Sequence, residues 1–344
     1  MEEKEKYITD FLKKVSPGTQ LRTVIDDLVG SNLGALIVFY KPEVQEYIEG
    51  GFRVNCRFTP QRLFELCKMD GAIVVSSDLK RILYANVLLI PDAKISTEET
   101  GTRHKAAERI AKQTNTLVIA VSERRKKTTL YASTTRYNLR ASSEILRKIE
   151  SGLQILEKQR EIFDNFLSQL NILEISNMAS ASDVVKTLQK AEMSLRISES
   201  LKKEFIEIGK EGEVLNLRHK EVIKGVEKRQ IDLIRDYSKH SLKKTKTLMS
   251  GLTFDNLTDV ESFSNLILEE EAEEAISPKG YRFLSLLELD DKEIQEVVKQ
   301  FNELPKILEL KQEDLEPILK SKSNQVFEDI SSTREQVLEG KITF

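Results

Sequence analysis

A chain of 344 residues, 40% hydrophobic and 32% charged, is too long for one ordinary core and is expected to fold as two or three domains. No run approaches the roughly 18–20 apolar residues of a membrane-spanning helix, and Met1-Glu-Glu-Lys4 lacks the basic start and apolar core of a signal peptide, so the expected location is cytoplasmic, with no membrane partner. The net charge of −3 hides an asymmetry: residues 1–140 carry 23 Lys and Arg against 17 Asp and Glu, residues 141–254 carry 20 against 17, and residues 255–344 carry 10 against 22.

In chain order, Leu21–Val29 has helical period and Ala35–Tyr40 is an apolar strand. Pro60–Met69 reads as helix, then Ala72–Val75 and Ile82–Ile90 as strands, the second ended by Pro91-Asp92. A basic helix follows, in which Ala106, Ala107, Ile110 and Ala111 share one face. Leu117–Val121 is a strand, and Thr128–Tyr131 with Tyr137–Leu139 is a closing hairpin. Residues 1–140 are therefore expected to be an α/β domain with a mixed central sheet flanked by helices. From Ser142 the pattern turns helical. Ile145, Ile149, Leu153, Leu156, Phe163, Phe166, Leu170 and Leu173 mark one long helix, and further helices run through Ser182–Gly209 and Glu213–Tyr237. Residues 141–268 are thus expected to be an all-α spine. The acidic run Glu269–Glu274 reads as a linker, and residues 277–344 as a small α-helical domain.

Chemistry concentrates at Thr100-Gly-Thr-Arg-His-Lys105. This stretch opens a helix, where free N–H groups and the dipole favour a bound phosphate. Basic residues at such an end oppose the dipole, so a polyanion such as a nucleotide triphosphate gives them a reason to be there; a solvated basic surface is the plainer alternative. Asp70-Gly71 sits where the chain enters a strand, and glycine lets a ligand approach the backbone. Cys67 reads as a core residue. His104, His219 and His240 lie far from Cys56 and Cys67, so no zinc site is expected.

Asp70-Gly-Ala72 and Thr102-Arg-His-Lys105 together resemble the Asp-Gly-Ala and Arg-His-Arg signatures of the diadenylate cyclase domain. Gly18-Thr-Gln-Leu-Arg22, Gly34-Ala-Leu-Ile37, Gly50-Gly-Phe52, Tyr84-Ala-Asn-Val87 and Ala120-Val-Ser122 also fit in order. Residues 1–140 resemble that domain throughout, and the helical remainder is similar to the DNA-integrity-scanning branch of the family. The resemblance implies condensation of two ATP into cyclic di-AMP with release of two pyrophosphates, at a site completed by two domains face to face. It implies a homo-oligomer, an octamer. Asp70 would be the catalytic carboxylate and would hold Mg2+ or Mn2+. Gly71 would let the ribose approach, and Leu89 would meet adenine through its backbone. Thr102, Arg103 and His104 would stabilise phosphate charge, with Arg103 and His104 counted as catalytic. Lys105 would add a further cation, and Ser122 and Arg125 would hold the terminal phosphates.

The chain departs from the pattern in places. Lys105 stands where the family usually has Arg, keeping the charge but losing the bidentate fork. Ala106 stands where Thr or Ser is frequent. Ser277-Pro-Lys-Gly-Tyr-Arg-Phe-Leu284 resembles the start of the family's C-terminal helix-hairpin-helix region, but its hairpin, Ile318-Leu-Lys-Ser-Lys-Ser-Asn-Gln325, has Lys320 and Lys322 where glycines are expected. With the acidic balance of this end, and Pro317 expected to interrupt the entering helix or else to start a different one, binding of branched DNA is expected to be weak. A second reading stays open: an oligomeric, nucleotide-sensing scaffold that has lost its chemistry.

Overall fold

The computed structural model describes residues 2–342 and 344. The chain divides into two compact units, residues 1–150 with 202–216, and residues 151–201 with 217–344.

The first unit is built on a mixed sheet. Its elements are α1 (Glu2–Val15), α2 (Gln20–Gly30), β1 (Ala35–Phe39), a 3-10 turn at Pro42–Tyr47, β2 (Ile48–Glu49), β3 (Phe52–Arg57), α3 (Pro60–Leu66), β4 (Ala72–Val75), β5 (Arg81–Leu89), α4 (Thr102–Thr114), β6 (Leu117–Ser122), β7 (Lys127–Ala132) and β8 (Thr135–Asn138). Strand order is β2-β5-β4-β1-β6-β7-β8, and β3 also pairs with β5. β1 and β4 run parallel, with Ile37 beside Ile73. β6 runs antiparallel to β1, with Ala35 beside Val121. The central strands are apolar along their whole length because both faces are covered. On one face Ile37, Ile73, Ile119 and Leu130 pack with Leu21, Ile25 and Leu63 of α2 and α3. On the other, Val38, Val74, Val118 and Ala120 pack with Ala107, Ile110 and Ala111 of α4. The alternation of the strands and the one-sided stripe of α4 thus meet as periodicity requires.

Residues 202–216 complete this unit. Ile206 packs against the first of these faces. Glu207 accepts hydrogen bonds from the Tyr137 hydroxyl and the Arg140 guanidinium, and Glu204 lies 2.7 Å from Arg140. The helix α1, the turn at Pro42–Tyr47 and the edge strands β2 and β3 carry weak sequence signals. β3 alternates Phe52, Val54 and Cys56 with exposed Arg53, Asn55 and Arg57, and Val54 and Cys56 pack against the first core face; the stripe is short and is broken by a bulge between Arg53 and Cys56.

The second unit is helical. The helices are α5 (Ser142–Ile175), α6 (Ala181–Ile208) and α7 (Glu213–Ile223), each lending residues to both units, then α8 (Val226–Tyr237), α9 (Leu242–Gly251), α10 (Phe254–Thr258), α11 (Val260–Ile267), α12 (Tyr281–Leu284), α13 (Asp291–Phe301), α14 (Leu304–Leu308), α15 (Gln312–Leu319) and α16 (Ser323–Leu338). One apolar cluster joins Phe163, Leu167, Val184, Leu188, Leu233 and Phe263; another joins Ile175, Phe283, Val297, Leu315, Val326 and Ile330. A buried polar knot lies in this unit. Asp236 accepts from the backbone N–H groups of Gly280, Tyr281 and Arg282 at 3.0, 2.7 and 3.2 Å, and from Arg282 Nε at 2.9 Å. Arg282 also pairs with Glu174, which accepts from the Tyr237 hydroxyl. Burial, offset by Arg282, pushes the Glu174 carboxyl up to about 7.

Two expectations are corrected here. The acidic run is no free linker: Ala181 and Ser182 donate backbone hydrogen bonds to Glu274 and Ala272 at 2.9 Å each, Ile276 donates to Ala179 at 3.0 Å, and Lys239 pairs with Glu270. Pro317 does not interrupt its helix, because α15 continues through it to Leu319. An eight-residue helix has few interior bonds to lose, and Leu315 and Leu319 bury its apolar side. Among the described residues no helix is long and apolar enough to cross a membrane.

Candidate active site

The sheet registers bring the candidate residues to one end of the first unit. β1 and β4 run parallel, so Gly34 and Asp70, which lie just ahead of the first residues of these strands, are at the same end of the sheet. Extending the antiparallel β1–β6 register from Ala35 and Val121 sets Gly34 beside Ser122. Arg125 follows in the β6–β7 turn, and its N–H donates to Ser122 Oγ at 3.2 Å. Leu89 ends β5, which runs antiparallel to β4 with Ala72 beside Val87. The start of α4 reaches the same end through Arg103: a Cβ at position 34 would lie 1.9 Å from an Arg103 guanidinium nitrogen. Gly34 therefore makes room for Arg103, a role its motif alone does not reveal.

Asp70 is exposed, and among the described residues its carboxylate has no hydrogen-bond or ion-pair partner. Gly71 has φ +85°, and a Cβ there would come within 2.8 Å of the Val87 carbonyl oxygen. Its glycine is demanded by the turn and by β5 itself. Among the described residues no group of three His, Cys, Asp or Glu side chains could hold a metal. A single carboxylate fits a hard cation such as Mg2+ or Mn2+ that keeps most of its shell for water and phosphate oxygens.

Leu89 offers main chain. Ile90 N–H donates to the Tyr47 carbonyl at 2.9 Å on the β2 side. By strand alternation the N–H and C=O of Leu89 point to the other side, towards the Asp70 end of β4. Its side chain is buried under α4.

The start of α4 is open. Its N-cap is Gly101, with no side-chain cap and no acidic residue in the first turn. Lys105 N–H makes the bond to Gly101 C=O at 2.9 Å, so the amides of Thr102, Arg103 and His104 have no intrahelical acceptor. By contrast α2 and α3 are capped by Thr19 and Thr59. Among the described residues Arg103, Lys105 and Arg125 have no ion-pair partner. Unspent donors and unpaired cations at one place call for an anion.

His104 is fixed from behind. Its Nδ1 lies 2.9 Å from the Tyr131 hydroxyl, which donates to Glu99 Oε1 at 2.7 Å. Glu99 also pairs with Arg136 at 3.1 Å. Burial holds the imidazole below its usual range; Glu99 pulls it up, and Arg125, Arg103 and Arg136 push it down. Burial and Glu99 keep the Tyr131 phenol far above its ordinary range. The loop carrying Glu99 is tied to α4. Arg109 Nε donates to the Ile95 carbonyl at 2.9 Å, Lys112 Nζ to that of Ser96 at 2.8 Å, and Gln113 Oε1 accepts from Asp92 N–H at 3.0 Å. Sequence reading missed Glu99, Tyr131 and Arg136, and gave Gly34 only as the start of a matching run without a role. An aromatic residue in an apolar strand reads as core, and the only signal from Glu99 was an acidic residue just ahead of a basic helix start. Cys67 is buried as expected, and burial pushes its thiol up to about 12.

A family model described as the DisA bacterial checkpoint controller nucleotide-binding region matches residues 22–135, and one described as the DisA linker region matches residues 139–274. A DNA integrity scanning protein DisA from Clostridium botulinum (strain Loch Maree / Type A3) is 36% identical over 350 residues, covering 99% of this chain and 99% of its own. The chain belongs to the DisA family. A DisA from Clostridium kluyveri is 37% identical over 346 residues, covering 98% of each chain. Asp70, Gly71, Leu89, Thr102, Arg103, His104, Lys105, Ser122 and Arg125 all fall within the DisA nucleotide-binding match, as do Gly34, Glu99 and Tyr131. Among solved structures, DacA from Staphylococcus aureus is 23% identical with a TM-score of 0.31, covering 41% of this chain and 91% of that one. A hypothetical membrane spanning protein from Bacillus cereus is 27% identical with a TM-score of 0.32, covering 36% of this chain and 62% of that one.

Proposed function

We propose that this chain is a nucleotidyltransferase that condenses two ATP into cyclic di-AMP and releases two pyrophosphates. The observation that carries the reading is the convergence, at one end of the sheet, of the Asp70 carboxylate, the uncapped start of α4 and the cations Arg103, Lys105 and Arg125, none of these four side chains having an ion-pair partner among the described residues.

Each ATP supplies a 3′-hydroxyl that attacks the α-phosphate of the other, so the reaction needs two sites face to face and hence at least a dimer; the family likeness suggests an octamer. The free amides of Thr102, Arg103 and His104 and the Arg103 guanidinium face the charge that grows on the α-phosphate and the leaving pyrophosphate. Lys105, Ser122 and Arg125 hold the outer phosphates. The outward N–H and C=O of Leu89 meet the adenine edge, and the turn at Gly71 keeps the ribose face clear of a side chain. Asp70 orients the incoming hydroxyl and is the protein ligand for Mg2+ or Mn2+, which when bound lowers the hydroxyl's pKa and neutralises phosphate charge.

The C-terminal hairpin supports a weak response to branched DNA. Lys322 is spent on Glu293 at 2.9 Å, and Lys320 takes φ +48°, the left-handed region that suits glycine. The test of the reaction is direct: purified protein with ATP and Mn2+ or Mg2+ is expected to give cyclic di-AMP and pyrophosphate by chromatography. Intact ATP after long incubation with either metal would favour the scaffold reading.

A further inference from the structure

We infer that Glu99 and Tyr131 are positioning residues that fix the tautomer of His104, so that polyphosphate binds with uptake of a proton at His104 Nε2. The inference deepens the nucleotide-site reading and rests on it for the identity of the ligand, though not for the state of the ring.

The argument begins with one hydrogen. The Tyr131 hydroxyl has a single proton to give, and it faces two groups. Glu99 Oε1, 2.7 Å away, is a carboxylate oxygen that can only accept, and it is fixed in place by Arg136. The hydroxyl proton therefore goes to Glu99. His104 Nδ1, 2.9 Å from the same oxygen, must then be the donor. Tyr131 and Glu99 are both buried, so water offers little competition for these bonds. A neutral ring with its hydrogen on Nδ1 has a bare lone pair on Nε2.

That lone pair is the wrong group to show a phosphate, unless it is protonated as the phosphate arrives. The groups facing the ring make this responsive. Glu99 stands behind it, Arg103 on its own helix, Arg125 in the β6–β7 turn, Arg136 on β8 and Tyr131 on β7. In the free protein burial and the guanidiniums of Arg125, Arg103 and Arg136 disfavour a charged ring, with Glu99 alone favouring it. A polyphosphate that engages Arg103 and Arg125 reverses that balance. The ring then takes a proton at Nε2 and donates it in a hydrogen bond to a phosphate oxygen, while Nδ1–H goes on donating to the Tyr131 hydroxyl and the Glu99 carboxylate behind it offsets the new charge. Nothing is oxidised or reduced; the proton comes from water and stays on the ring while the ligand is bound. Removing the hydroxyl frees the ring to adopt the other neutral tautomer.

The experiment uses the full chain and two readouts. Ring nitrogen-15 shifts of His104 are expected to show hydrogen on Nδ1 in the wild type, and a shift towards the Nε2–H form in Tyr131→Phe. Titration calorimetry with an ATP analogue carrying an uncleavable α,β-methylene bridge, in buffers of different ionisation enthalpy at pH 7.5, is expected to report proton uptake in the wild type. Uptake should vanish in His104→Gln and fall in Tyr131→Phe and Glu99→Gln. Analogue affinity in the wild type should strengthen by up to about tenfold per unit fall in pH where uptake is complete. A wild-type ring with hydrogen on Nε2, or a Tyr131→Phe variant with unchanged shifts and unchanged uptake, would overturn the inference. Analogue binding without proton uptake would overturn its second half. No analogue binding at all would instead sink the nucleotide reading, while the ring shifts would still decide the role of Tyr131.

Discussion

Asp70 and Gly34 make opposite demands on the first unit, and substitutions separate them. Asp70 is exposed and unpartnered among the described residues, so Asp70→Asn should leave the fold intact and ATP binding near wild type while abolishing cyclic di-AMP formation. Turnover within a few-fold of wild type would remove Asp70 from the mechanism. Gly34 has no direct role, yet a methyl there must push aside the Arg103 guanidinium. The clash is with the end of a flexible side chain, so the expected change in melting temperature is within about 2 °C, a cost of roughly 0.5 kcal/mol. Displacing a charge-stabilising group by about 1 Å can cost on the order of a hundredfold in rate. Equal losses of stability and activity in Gly34→Ala would assign that glycine to packing alone. The depressed His104 adds a pH effect: the unfolded imidazole takes a proton below its ordinary range while the folded one resists. Stability should therefore decline as pH falls from about 6.5 through the lower folded value. Urea midpoints at pH 7.5 and 5.5, compared between wild type and His104→Gln, read this contribution.

Elements differ in how much of themselves they declare in sequence. The central strands β1, β4 and β6 and the helix α4 are legible because each buries a periodic set: Ile37, Ile73 and Ile119 on one side, Ala107, Ile110 and Ala111 on the other. The edge strand β3 is not, although Phe52, Val54 and Cys56 alternate with Arg53, Asn55 and Arg57, because a six-residue stripe with a bulge between Arg53 and Cys56 is a faint signal. In the candidate site, Thr102-Arg-His-Lys105 was legible as the basic start of a helix. The contacts behind it were not, because the hydrogen bonds from His104 through Tyr131 to Glu99 and the approach of Arg103 to Gly34 exist only once the fold sets them. At the C-terminal hairpin, Lys320 bears a backbone conformation better suited to glycine. Lys320→Gly should stabilise the chain by about 1 kcal/mol, measured by denaturant titration; a loss instead would mean that the lysine stem contributes more than the strain costs. Fluorescence anisotropy with a four-way junction at about physiological salt should give weak binding by the wild type. Submicromolar affinity that also suppresses ATP turnover would show that the glycine-free hairpin works.

At the scale of the whole molecule, the polar knot of the second unit and the completion of the first carry the largest consequences. Arg282 compensates Glu174 and Asp236, and all are buried. Arg282→Met should cost about 3–5 kcal/mol, because it strands their charge, whereas replacing the whole set by apolar residues should cost far less. Light scattering at micromolar concentration should report an oligomer; a 39.4 kDa monomer would sink the two-ATP mechanism. The first unit has a further property, which concerns time. Its sheet ends at β8, yet Tyr137 and Arg140 find their carboxylates on Glu207 and Glu204. During synthesis the ribosome must therefore add the stretch from residue 151 through residue 216 before this unit can close. At about 5–20 residues per second that is a wait of roughly three to thirteen seconds, with an almost complete sheet lacking its last partners. Nascent chains stalled with residue 150 just exposed should be cut readily by protease, and those stalled with residue 216 exposed should resist. A nucleotide-binding end that matures only after much of the helical region has been made ties the birth of the site to the presence of the elements meant to accompany it.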